Sequence, residues 1–168
     1  NLHGTFLFSR EVYTQWMEDH GGSIVNMLAD IWGGMPGMGH SGAARGGVLN
    51  LTETAACEWG HSGVRVNAVA PGWIASNGMD HYDEHYRSVL RGLKTKVPLQ
   101  RFGTEAELAA AVVFLLSEAS AFVNGAVIRV DGGVPTARHT WTLPPADRHE
   151  VFQGFPQYRP PTMLGDEA

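Results

Sequence analysis

The chain has 168 residues, a net charge of −5, and 43% hydrophobic against 17% charged residues, the proportions of a globular protein with enough chain to bury a core. Its basic residues are scattered, which excludes the basic face that a nucleic-acid partner requires, and its single cysteine, Cys57, excludes an internal disulfide and a multi-cysteine zinc site. No apolar run reaches membrane-spanning length, and the opening Asn1-Leu2-His3-Gly4 lacks the pattern of a secretory signal, so no membrane partner and a cytoplasmic, reducing location are expected.

Apolar residues at Leu2, Phe6, Val12, Trp16 and Met17 predict one face of a helix over 1–19, stopped by Gly21-Gly22. Ser23–Leu28 reads as a short buried strand, followed by a Gly/Met/Pro-rich loop over 33–39. An Ala-rich helix is predicted from His40 to Trp59, closed by Gly60, with Cys57 as a packed thiol. Val64–Ala70 is a second strand, and Pro71-Gly72 turns the chain. The stretch 80–96 is polar and predicts a helical flap. Thr104-Glu105-Ala106-Glu107 has the spacing of a capping box and starts a helix through Leu116. Ala126–Val130 is a third strand, ended by Asp131-Gly132-Gly133, and a Pro-rich tail without period follows.

Strands separated by helices of this length predict parallel βαβ units. The expected order is sequential, with Val64–Ala70 in the middle and Ser23–Leu28 at an open edge. A dinucleotide fold places a Gly-rich phosphate turn after its first strand. No Gly-rich stretch of these residues has both a strand before it and the required glycine spacing after it.

The chemistry concentrates in Gly39-His40-Ser41-Gly42-Ala43-Ala44-Arg45 and, downstream, Val64-Arg65-Val66-Asn67-Ala68-Val69-Ala70-Pro71-Gly72. With Asn1-Leu2-x-Gly4-x-Phe6, Gly22-Ser23-Ile24-Val25-Asn26, Pro98-Leu99-Gln100-Arg101-Phe102-Gly103-Thr104 and Val130-Asp131-Gly132-Gly133 in order, the chain resembles the C-terminal half of the short-chain dehydrogenase/reductase (SDR) family. The resemblance implies an α/β fold: the C-terminal half of a Rossmann-type doubly wound parallel sheet, three parallel strands with flanking helices. It would cover residues 1–133, with 134–168 a Pro-rich extension. It implies NADP or NAD as cofactor, a small-molecule substrate, and a homodimer or homotetramer built on helices near 6–16 and 48–59.

Family members carry Tyr-x-x-x-Lys where this chain has Ser41 and Arg45, and the strand that should run into a catalytic serine continues Met27-Leu28-Ala29-Asp30. By the resemblance, Asn1 is the tetrad asparagine, and Pro71, Gly72, Ile74 and Ser76 hold the nicotinamide carboxamide. An aliphatic hydroxyl is a far weaker acid than a phenol, so Ser41 is a poor proton donor to an alkoxide. Addition of hydride to a double bond conjugated to a thioester instead places charge on the thioester oxygen, where a hydrogen-bond donor suffices. Arg45 keeps the lysine's charge as a fork of donors suited to ribose hydroxyls; a surface arginine is the plainer alternative.

Asp30, among Leu28, Ile31 and Trp32, is a candidate proton donor or a plain loop carboxylate. His40, Tyr82 and Tyr86 are further candidates, and Trp32 and Met38 would suit a wall against an acyl or isoprenoid chain, though ordinary packing explains them equally. His81 and His85 have i, i+4 spacing, but their polar surroundings favour a solvated face over zinc, and no metal is expected.

Within the family, the wording around Ser41, Arg45 and Glu58-Trp59, with Arg138-His139-Thr140-Trp141 in the tail, is similar to peroxisomal trans-2-enoyl-CoA reductases. Dienoyl-CoA reductases also lack the tyrosine, and the Met35-Pro36-Gly37-Met38-Gly39 loop resembles bacterial citronellol/citronellal dehydrogenases. The expectations are reduction of trans-2-enoyl-CoA, a terpenoid alcohol/aldehyde dehydrogenase, or a non-catalytic remnant that only oligomerises.

Overall fold

The computed structural model describes residues 1–137, 140–146, 148–152, 154 and 162, with the side chain of Tyr86 excepted. Helix α1 (Leu2–Val12) continues through a π-helical turn (Tyr13–Met17) and a last turn (Glu18–His20) that Gly21 ends at φ 70°. Strand β1 (Gly22–Met27) leads through a loop into the long helix α2 (Gly39–Trp59). Strand β2 (Val64–Pro71) follows, then the short strand β3 (Ile74–Ala75), helix α3 (Glu84–Leu93), short strand β4 (Gly103–Thr104), helix α4 (Glu105–Leu116) and strand β5 (Val127–Val130).

The main sheet has the order β1-β2-β5. β1 and β2 are parallel, with Ile24 opposite Val66 and Asn26 opposite Ala68. Bonds from Gly125 N–H to Val66 O, Ala68 N–H to Ala126 O and Gly72 N–H to Val130 O, each 2.9 Å, advance along both strands together, so β5 is parallel too. The expected strands, order and direction are all present. No helix among the described residues is long and apolar enough to cross a membrane.

The chain divides into two compact units: Asn1–Ala70 with Ala111–Arg129, and Pro71–Ala110 with Val130–Ala168. In the first, two apolar clusters hold the helices to the sheet. Tyr13, Ala55, Ala56, Val64 and Val66 pack with Met17, Ile24 and Trp59; Leu28, Val48, Ala68 and Ala70 pack with Leu49 and Val127. Each fully buried valine or leucine here contributes roughly 1.5–3 kcal/mol. Polar groups in this core are paired. Asn26 donates to Thr52 Oγ1 (2.9 Å), and Thr52 donates to Val48 O (2.8 Å). Asn67 donates to Val123 O and accepts from Ala126 N–H, both at 2.9 Å, which sets the register between β2 and the approach to β5. Arg65 satisfies the carbonyls of Leu115 and Ser117 at 2.9 and 3.2 Å, a cation where a helix C-terminus leaves acceptors open.

In the second unit Ala75, Met79, Leu90 and Phe102 form the core with Trp73 and Leu93. The segment over 80–96 is therefore not polar throughout: α3 buries an apolar face. His81 ends the turn Asn77–His81 while His85 belongs to α3, so the expected i, i+4 pair is not realised on one helix. Thr104 and Glu107 form the reciprocal box, with Glu107 N–H to Thr104 Oγ1 at 3.1 Å and Thr104 N–H to Glu107 Oε2 at 2.9 Å. Tail residues return to it, Phe152 N–H reaching Glu107 Oε1 at 3.3 Å and Thr104 Oγ1 donating to Phe152 O at 3.1 Å.

Three expectations are corrected. The face of α1 that packs is Ser9, Tyr13 and Met17, with Tyr13 stacked on Trp59 at 4.4 Å, while Phe6 and Trp16 are 44% and 61% exposed. The π-helical turn changes the rotation after Tyr13 in a way that the regular period does not anticipate at Trp16 and Met17. Gly60 stays right-handed (φ −58°) and the chain runs one more turn to Gly63, whose φ of +73° makes the actual stop. Cys57 lies on the exposed side of α2, so it is not a packed thiol.

Candidate functional site

The backbone explains why the candidate residues of the first unit gather after β1. Leu28 N–H still bonds Val69 O at 2.8 Å, which fixes the last residue of the strand line before the chain turns away. The carboxyl ends of parallel strands are where open α/β sheets bind ligands. A cleft of about 650 Å³ sits at the other end, on Gly22, Val64, Arg65 and Phe122, where the strands begin; its position argues against it as the reaction centre.

Ser41 and Arg45 lie one helical turn apart near the start of α2, and their side chains meet: an Arg45 terminal N–H donates to Ser41 Oγ. Ser41 is 9% exposed and Arg45 is half-buried. The guanidinium stays protonated at any working pH, so Ser41 Oγ is committed as an acceptor and its own proton remains for another acceptor. Among the described residues that proton meets none. Arg45 Nε is buried and likewise makes no hydrogen bond there. Two donor groups on one helix turn thus face the task of an acceptor-rich ligand.

The other candidates of this unit fall around that turn in sequence. Asp30 is half-buried in the loop after β1; Met38 (44% exposed) precedes α2 and His40 is exposed in its first turn. Met35 packs on α2, since a Cβ at Gly42 would stand 3.3 Å from Met35 Cβ. Trp32, 37% exposed, lies beneath Arg129, whose guanidinium carbon is 5.4 Å from the ring centroid. Arg129 went unnoticed in the sequence because nothing in the spacing of a strand residue signals a partner far back along the chain. Asn1 precedes α1, exposed and without a side-chain capping bond, next to Leu2, which fills the space a Cβ at Gly47 would need (2.6 Å).

In the second unit, Pro71 and Gly72 leave β2. Gly72 is required by close approach: a Cβ there would lie 2.7 Å from Asp131 Cα. Ile74 belongs to β3, paired with Gly103, and half-buried Ser76 accepts from Met79 N–H at 2.9 Å. This loop presents main-chain groups on a fixed track. Tyr82 is 48% exposed, with its carbonyl bound by Arg87 Nε at 2.7 Å. Tyr86 lies on α3, but its side chain is outside the described residues, as are Arg138 and His139. Among the described residues no cluster of three metal-ligating side chains occurs. Glu107, like Glu84 on α3, is held below the usual carboxylate range. Burial pushes the Glu107 pKa up, but hydrogen bonds from Arg101 (2.7 and 2.9 Å) and from the amides of Thr104 and Phe152 outweigh this.

The family model described as Enoyl-(Acyl carrier protein) reductase matches residues 1–135. The chain belongs to the short-chain dehydrogenase/reductase family. Among SDR relatives, the peroxisomal 2,4-dienoyl-CoA reductase [(3E)-enoyl-CoA-producing] of Danio rerio is 43% identical over 137 residues, 77% of this chain and 44% of that protein. The solved citronellol catabolism dehydrogenase of Pseudomonas aeruginosa PAO1 is 60% identical, with a TM-score of 0.68 over 80% of this chain and 51% of that one. A gluconate 5-dehydrogenase from Burkholderia cenocepacia J2315, solved with NADP and tartrate, is 29% identical, with a TM-score of 0.71 over 82% of this chain and 54% of that one. The chain spans about half the length of the SDR relatives it matches. The fold is that of a Rossmann-type α/β protein, as the motif order implies.

Proposed function

We propose that in its complete form the protein is an NAD(P)-dependent oxidoreductase that reduces the carbon–carbon double bond of a trans-2-enoyl-CoA. The observation that carries this reading is the Ser41–Arg45 pair standing where the family has a phenol and an amine. When bound, the reduced nicotinamide supplies the hydride. Each unit by itself has groups that suit such a molecule: in the first, the unbonded Arg45 Nε suits ribose hydroxyls; in the second, the main chain at Pro71, Gly72, Ile74 and Ser76 suits the carboxamide. The Ser41 O–H donates a hydrogen bond to the thioester oxygen, keeping its proton, as charge spreads onto that oxygen from the β-carbon that has gained hydride. Asp30 delivers a proton to the α-carbon and completes the saturated thioester.

The test is turnover of trans-2-decenoyl-CoA by the protein in its complete form with NADPH or NADH, followed by cofactor absorbance. Asp30→Asn is expected to lower kcat by about 10²-fold without changing cofactor binding. A protein that ignores the thioester but oxidises citronellol overturns the proposal in favour of the terpenoid dehydrogenase reading. That second reading is supported by the 60% identity to the citronellol catabolism dehydrogenase. We also propose a cytoplasmic homodimer or homotetramer, with Phe6, Phe8 and Trp16 of α1, 44%, 75% and 61% exposed, as part of the covered surface. A monomer in sedimentation equilibrium refutes that assembly. Residues 134–168 are proposed as an extension to the SDR core.

A further inference from the structure

The loop joining β1 to α2 has little of its own to hold it. Gly33, Gly34 and Gly37 take φ of +98°, +86° and +79°, and a Cβ at any of them would meet nothing within 4 Å. Two turn bonds shape it, Gly34 N–H to Ile31 O at 3.1 Å and Met38 N–H to Met35 O at 2.9 Å. A glycine-rich segment loses much freedom on ordering, so its position depends on side-chain anchors. Such contacts include Met35 against Gly42 of α2, and Trp32 beneath Arg129 of β5. Between them the loop shows an apolar surface, with Trp32 and Met38 37% and 44% exposed.

We infer that Arg129 is a positioning residue that sets chain-length preference: by holding the Trp32 ring it fixes this loop as a wall for the substrate's hydrocarbon chain. The inference rests on the proposed substrate and deepens it. A strand is a more rigid support than a loop, and the planar guanidinium both stacks on the indole and attracts its electron-rich face. Lysine keeps the charge but not the plane; glutamine keeps neither. Each methylene that lies along a fixed apolar wall adds to binding, so loss of the anchor is felt by long chains and not by short ones.

The experiment compares the protein with Arg129→Lys and Arg129→Gln, and uses Trp32→Phe to assign the Trp32 part of the indole fluorescence. Arg129 is exposed on β5, so these changes need not disturb the core. Arg129→Gln is expected to raise acrylamide quenching of Trp32 about twofold. It should raise KM for trans-2-decenoyl-CoA relative to trans-2-butenoyl-CoA about tenfold, with kcat within about threefold and Arg129→Lys between, as a cation–π anchor requires. Unchanged quenching overturns the anchor. Raised quenching with an unaltered chain-length profile overturns its role in specificity. If neither thioester is reduced, the proposed reaction fails separately, and the wall is then tested by Trp32-monitored binding of citronellal and decanal: equal affinity in the protein and Arg129→Gln overturns it, and weakened affinity supports it.

Discussion

Glu107 allows a prediction whose size and pH dependence both come from the structure. Its carboxylate takes a two-pronged ion pair from Arg101 at 2.7 and 2.9 Å, the Thr104 amide at 2.9 Å and the Phe152 amide at 3.3 Å. The pair is mostly shielded, with side-chain exposures of 24% and 17%. Glu107→Gln keeps an acceptor for the Thr104 amide but removes the charge opposite Arg101. Hydrogen bonds to charged groups contribute about 1.5–3 kcal/mol, and residual exposure and the cost of burying the pair lower the net, so a loss of about 1–2 kcal/mol is expected at pH 7. Glu107→Ala removes the cap as well and should cost about 1 kcal/mol more. The folded pKa is depressed, so this stability is present above the unfolded value of about 4.3 and disappears as pH falls through the folded value. Urea unfolding at pH 7 and at several acid points measures it. A gap between protein and Glu107→Gln that is equally large at pH 7 and below the folded pKa would falsify the assignment of the effect to a charged carboxylate.

Gly72→Ala places a methyl 2.7–3.1 Å from main-chain and Cβ atoms of Asp131. It should cost about 1–3 kcal/mol in urea unfolding, and a neutral result refutes the close packing. In the complete form of the protein, Arg45→Ala should weaken cofactor binding roughly ten- to a hundredfold while Arg45→Lys keeps much of it; equal losses mean that the fork rather than the charge matters. The 168 residues alone, in which no strand among the described residues is immediately followed by a Gly-x-Gly-x-x-Gly turn, should bind NADH and NADPH no tighter than roughly millimolar. A micromolar fluorescence titration contradicts this.

Much of the frame was legible because it repeats local rules. Alternation between β-branched runs and Ala-rich stretches located β1, β2 and β5, and the Thr104–Glu107 spacing located the start of α4 to the residue. The meeting of Ser41 with Arg45 was implicit in i, i+4 geometry. What escaped has no local signature. Tyr13 rather than Phe6 faces the core because it stacks on Trp59, far along the chain, and Asn67 inside β2 is buried because its amide binds Val123 and Ala126, more than fifty residues on. Arg129 over Trp32 is of the same kind: both residues are ordinary until the fold brings strand and loop together.

The Ser41–Arg45 bond also bears on which chemistry the turn can support. A carbonyl reduced to an alcohol needs a full proton at oxygen, and the usual tyrosine supplies it because a neighbouring lysine lowers its pKa. Arginine beside serine cannot reproduce this: the guanidinium has no proton to spare, and a cation beside an aliphatic hydroxyl still leaves it a very weak acid. The pair can offer a donor whose oxygen is held in place by the bond from Arg45, with its own O–H left for a substrate oxygen. Such a donor stabilises charge on an oxygen without surrendering its proton, which is the demand of conjugate reduction and not of alcohol formation. Ser41→Tyr with Arg45→Lys therefore separates the two chemistries: the double variant is expected to gain carbonyl reduction relative to double-bond reduction, and an unchanged ratio shows that the selectivity lies outside this helix turn.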